Sequence, residues 1–205
     1  MRLKKKVKVI LSLAIILIIA GLAFLAYESF RPKDAKTATI ENEIEEYGYT
    51  LKSTRNNRYK KMFQELQTIL NKNEVDEKDY LEQISKMFII DFYTLDDKLA
   101  NTDVGGIDFV HTDAKTNFLE KAEDTVYKYL ESDIYGNREQ VLAEVTEVTV
   151  ENIENIEYTI GTDFTDDFAY QVEVSIKYKE DMDYPTKAIL IFVHEDNKLS
   201  LVEME

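Results

Sequence analysis

From Val9 to Tyr27 the chain carries nineteen uncharged residues, with Ser12 as the one polar interruption. A run of about 20 such residues, rising ~1.5 Å each, matches the ~30 Å hydrocarbon core of a bilayer, so the pattern predicts a transmembrane helix over 9–27. Beyond it the hydrophobic period changes repeatedly. Residues 28–46 read as a juxtamembrane linker, with Pro32 stopping the first helix and TATIENEIEE forming a frayed helix or an extended stalk. Tyr47, Tyr49 and Leu51 alternate with Gly48, Thr50 and Lys52, as in a short strand. From Arg58 the apolar positions Tyr59, Met62, Phe63, Leu66, Ile69 and Leu70 recur at three and four residues, predicting a helix capped by Asn56 or Asn57.

A second helix begins after Asp76, with Glu77 and Asp79 in its first turn, and its MFIIDFY run is apolar almost all round. Residues 94–113 are irregular and contain Gly105-Gly106. A third helix is expected from about Ala114 to Glu131, with Phe118, Leu119, Ala122, Val126, Tyr129 and Leu130 as its stripe. From Gln140 onward the chain reads as strands. Val141, Ala143 and Val145 share one phase and Val148 and Val150 the other, a slip that predicts a bulge near Thr146. IEYTIG reads as a separate short strand. In FAYQVEVSIKYK, Phe168, Tyr170, Val172, Val174, Ile176 and Tyr178 alternate strictly, predicting one buried and one wet face. TKAILIFVHE and NKLSLVEME complete an antiparallel hairpin. The expected fold class is α+β: an N-terminal transmembrane helix, then about three helices packed on one face of a curved antiparallel sheet of about four to five strands.

Charge assigns direction to this pattern. The first 36 residues hold eight basic residues against Glu28 and Asp34, and the whole chain is −15, which leaves −21 for residues 37–205. The basic flank 1–8 is expected on the cytoplasmic side, with the α+β domain over 47–205 outside the cell membrane. The apolar run is longer than the core of a cleaved signal peptide, and Phe24-Leu25-Ala26 is a poor cleavage site, so a retained single-pass anchor is expected. A surface this negative repels phosphate backbones, so nucleic acid is not an expected partner; the lipid bilayer, through 9–27, and proteins are. The chain has no cysteine, which excludes disulfides, thiolate catalysis and cysteine zinc sites. With its Ile, Lys, Glu and Asn content, that composition fits a bacterial exported domain.

Candidate chemistry is sparse. Lys52, Arg55, Arg58, Lys60 and Lys61 form a basic cluster without an intervening acid. It reads either as a docking patch for an acidic partner or as a set of cations that pair with the domain's own carboxylates. Asp91 lies inside the apolar run of the second helix and reads as a buried acid or as a locally paired one. Asp96, Asp97, Asp103 and Asp108 surround the glycine pair without the spacing of an EF-hand loop, so no metal site is expected. His111 and His194 have no nucleophile elbow nearby, and no glycine-rich phosphate loop is present. No cofactor is expected.

The order of helices and strands over about 57–205, with a long Tyr/Val/Ile alternating strand followed by an Ile-rich one, resembles the nuclear-transport-factor-2-like cone. In its anchored form it resembles the extracytoplasmic domains of bitopic scaffold proteins of conjugative type IV secretion systems; a cystatin-like arrangement fits nearly as well. The resemblance implies a non-enzymatic scaffold or protein-interaction module of a bacterial envelope. It also implies two alternatives: a small-ligand module using a cone pocket, and an acid–base enzyme using Asp91 and a Tyr. No catalytic residue carries over, because no family motif is matched.

Overall fold

A computed structural model describes the backbone of residues 5–30, 34–161 and 164–205, and the side chains of these except 5–12 and 29–30. The chain forms two compact units, Met1–Ala35 and Lys36–Glu205. The first is helix α1, Lys5–Phe30. Its described side chains are exposed all round and, Glu28 apart, carry no charge; Leu17 is exposed by 72 % and Phe24 by 63 %. Among the described residues no helix is long and apolar enough to cross a membrane. The transmembrane helix of the expected fold class is corrected accordingly; Val9–Ser12, the start of the apolar run, lie outside the described side chains, and residues 1–4 of the basic flank outside the described residues.

The second unit is α+β. Strand β1, Ile40–Ile44, pairs antiparallel with β2, Tyr49–Lys52, around a turn in which Gly48 takes φ +67°. The TIENEI stretch thus becomes a strand because β2 satisfies its backbone groups. Helix α2, Asn57–Leu70, starts where the Asn56 side chain accepts the Tyr59 N–H, 2.9 Å away. It buries Tyr59, Phe63, Leu66 and Leu70, one helical stripe. Asn56→Ala should lower unfolding stability by about 1 kcal/mol, read from a urea melt, because one N-terminal N–H loses its acceptor.

Helix α3, Glu77–Tyr93, is capped by Asp76, which accepts the N–H groups of Lys78 and Asp79. It is buried on every side from Met87 to Tyr93, as the unbroken apolar run requires. Helix α4, Lys115–Asp124, is shorter than its stripe suggests. The chain breaks at Thr125, and Tyr127 turns fully into the core, donating its hydroxyl to the Phe92 carbonyl at 2.7 Å and accepting the Gly105 N–H at 3.0 Å. A continued helix would carry that side chain along its own face instead.

Strands β3 (Val145–Ile160), β4 (Phe164–Tyr178), β5 (Lys187–Glu195) and β6 (Lys198–Met204) form one antiparallel meander in the order β3-β4-β5-β6. Val172, Val174, Ile176, Leu190 and Phe192 face the helices and are buried with them in a single core. IEYTIG is not a separate strand: β3 continues through it, with irregular register at Val145/Glu147, Val150/Asn152 and Ile156/Tyr158. The first of these coincides with the phase slip at Thr146. At the third, β4 advances three residues against two on β3, and the extra residue turns Phe168 outward to 70 % exposure. Strict alternation had placed it inside. Strand β3 pairs only with β4 and so forms an edge, along which Glu147, Glu151, Glu154 and Glu157 are exposed.

Candidate functional site

Helix α4 buries only Ala122. Between it and β6 lies a pocket of about 300 Å³, floored by Phe92, Val110, Phe118, Ala122 and Leu201, with Asn117, Lys121, Thr125 and Glu203 among its polar lining. The local cause is side-chain size: α4 and the turn before it present Ala114 and Ala122 here, too small to fill the space to the strand. Glu203 accepts the Tyr158 hydroxyl at 2.7 Å; burial first, then that hydrogen bond, raises the phenol to about 12. Because β3 and β6 are the two edges of the sheet, this bond requires the distal β3–β4 hairpin to bend back across β4 and β5. The pocket wall carries one charge of each sign, Lys121 and Glu203.

The five basic residues of the sequence cluster do not converge on one patch. Arg55 is buried; its Nε lies 2.6 Å from Asp91 Oδ1, and its terminal nitrogens grip Asp103 at 3.2 and 3.3 Å. Lys52 reaches Asp103 at 2.7 Å, Lys60 reaches Glu41 at 2.7 Å, and exposed Lys61 lies 3.7 Å from Glu65 one turn along α2. Arg58 donates to the carbonyls of Val145 and Thr146 at the start of β3. Four of the five therefore meet carboxylates of this chain, and the fifth ties α2 to the sheet.

Asp91 is the hub of a buried ionic network. Besides Arg55, Lys98 Nζ approaches Asp91 Oδ1 at 3.1 Å and Asp97 at 2.6 Å, and the Gly106 N–H donates to Asp91 Oδ2 at 2.7 Å. Burial alone would raise the Asp91 carboxyl, but Lys98, Arg55 and the Gly106 N–H outweigh it and hold it well below the usual carboxylate range. The space beside it is about 20 Å³, roughly one water. A carboxylate this firmly ionised is a poor general acid, and as a base it has no room for a substrate. The loop acids are engaged as well: Asp103 with Arg55 and Lys52, Asp97 with Lys98, and Asp108 with the backbone and hydroxyl of Thr50. Among the described residues no group of three or more His, Cys, Asp or Glu side chains is arranged to hold a metal ion.

A second cluster, around His194, is assembled by the fold alone. His194 on β5 has Nδ1 2.8 Å from Asp166 and Nε2 3.0 Å from Glu77, and Tyr170 donates its hydroxyl to the same Glu77. Its partners lie 28 and 117 residues away, so no local spacing encodes it. Asn117, Lys121 and Glu203 were equally silent; the pair of alanines facing β6 was the only trace of the pocket. Comparisons with known protein families, with characterised proteins and with solved structures give no match.

Proposed function

We propose that the Lys36–Glu205 unit is a non-enzymatic protein-interaction module, a scaffold domain of a bacterial envelope assembly. It receives an apolar side chain of its partner in the pocket between α4 and β6. The pocket carries this reading: its apolar floor and polar wall are the anatomy of an anchor site, where one buried side chain supplies most of the binding energy. The engagement of Asp91, Asp97 and Asp103 with cations supports a non-catalytic role. The succession of helices and then a four-stranded meander is consistent with a nuclear-transport-factor-2-like cone. In this reading the acidic unit lies on the outer side of the cell membrane, which the absence of cysteine and the charge asymmetry favour. Protease added to intact cells then removes the acidic unit while a cytoplasmic control survives; protection of the unit would reverse its side.

The docking test places a photo-reactive residue at Asn117 in cells. One discrete protein adduct is expected, reduced about tenfold by Ala114→Phe, which fills the pocket wall from a partly exposed position. Adduct formation that ignores Ala114→Phe would sink the reading. The same cavity sits at the lower end of the ~300–1,000 Å³ range of small-molecule sites, which favours a small ligand as the second reading. That reading predicts no protein adduct, together with ligand-induced thermal stabilisation that Ala114→Phe removes.

A further inference from the structure

His194 joins segments that strand pairing leaves apart. Strand β4 pairs with β5 only from Tyr170↔Phe192 to Ser175↔Lys187, and beyond Tyr170 its bulge carries it away. The Asp166 carboxylate takes the place of the missing ladder: Oδ2 accepts the His194 backbone N–H at 2.8 Å and Oδ1 accepts the Phe168 N–H at 2.9 Å. The same Oδ2 faces His194 Nδ1 at 2.8 Å, while Nε2 faces Glu77, the first residue of α3, at 3.0 Å. A neutral imidazole has one N–H and one lone pair, and a carboxylate offers only lone pairs. Both contacts are hydrogen bonds only when the ring carries both protons.

We propose that His194 is a pH-sensitive clasp: protonated, it ties the root of the β3–β4 hairpin to Glu77 at the N-terminus of α3, and on losing a proton it gives up Glu77, which the Tyr170 hydroxyl alone then holds. The Glu77 side opens, because Asp166 is nearly buried and also holds two backbone N–H groups, whereas the Glu77 side chain is 47 % exposed. Strand β4 contributes Asp166 and Tyr170; α3 contributes Glu77 and Tyr80; the β5–β6 turn contributes Asp196 and Lys198; and the β1–β2 turn contributes Tyr47. Lys198, the one cation among them, is directed to Glu195 at 4.0 Å. Burial pulls the ring's pKa down, but the hydrogen bonds and charges of Asp166 and Glu77 outweigh it, so the net shift is upward from 6.5. With a folded value above the unfolded one, the clasp is fully closed below about pH 6.5 and opens as pH rises through the raised value.

The test uses the full chain in detergent. It has two histidines, so His194→Gln assigns the imidazole signals directly. In wild type the His194 signal should titrate above 6.5, and the amide protection factor at Leu81, one turn into α3, should fall about fivefold across that titration, the size expected of one hydrogen bond, while that of Phe168, held by Asp166, stays constant. His194→Gln, which cannot titrate, should show no such step. A His194 titration at or below 6.5, protection at Leu81 that does not change with its titration, or the same step in His194→Gln would each overturn the proposal.

Discussion

Asp91→Ala should leave the Lys36–Glu205 unit marginal or unfolded at 25 °C. The substitution removes the carboxylate shared by Arg55 and Lys98, both almost wholly buried, leaving them only Asp103 and Asp97, and removes the acceptor of the Gly106 N–H. Breaking a buried ion pair from one side costs about 3–5 kcal/mol, and an unsatisfied buried N–H adds about 1–3. A domain's whole stability is about 5–15 kcal/mol. Urea unfolding followed by circular dichroism reads the result; a midpoint within 0.5 M or so of wild type would show that the network is dispensable, given a urea slope of ~1–3 kcal/mol per M. Asp91→Asn separates charge from shape. The folded pKa of Asp91 lies below its unfolded value, so its contribution is fully present above about pH 4 and is lost as pH falls toward the depressed value. Asp91→Asn should therefore flatten the acid limb of the stability profile as well as lower its plateau.

Gly105→Ala should be nearly as damaging, by about 3 kcal/mol or more, for a steric reason. A Cβ at Gly105 would stand 2.0 Å from the Asp91 carbonyl oxygen and 2.5 Å from its carbon. Both atoms belong to the backbone of α3, which cannot swing aside as a side chain does. The loop must lift, which breaks the Gly106–Asp91 and Gly105–Tyr127 hydrogen bonds together. For a domain of this size the melting temperature should fall by about 10 °C. Gly48→Ala is the contrast: an added Cβ there meets nothing within 4 Å and suffers only the cost of φ +67°, about 1 kcal/mol. Equal losses at the two glycines would mean that the loop is not packed against α3 as described.

Where a feature depends on neighbours along the chain, the sequence reveals it. The Asn56 and Asp76 caps, the stripe of α2 and the Thr146 bulge are each written within a turn or two of their own position. The end of α4 was not legible, because its apolar stripe continues past Thr125 while the demand that ends the helix comes from Phe92 and Gly105, which need the Tyr127 hydroxyl. Phe168 was misplaced for a similar reason: alternation is preserved in the sequence, and only the count of residues opposite β3 shows the bulge. The basic run from Lys52 to Lys61 left docking and internal pairing both open, because its partners, Asp91, Asp103 and Glu41, are brought to it by the fold. The apolar run at 9–27 states a composition; among the described residues no helix is long and apolar enough to cross a membrane.

The edge strand β3 has a consequence for how copies of this chain meet. An uncovered strand of sixteen residues is a template for another strand. Here a second copy pairing edge to edge would set Glu147, Glu151, Glu154 and Glu157 beside their counterparts at a spacing of about 4.8 Å, across a ladder already kinked by three bulges. At neutral pH that repulsion keeps the chain from templating its own assembly.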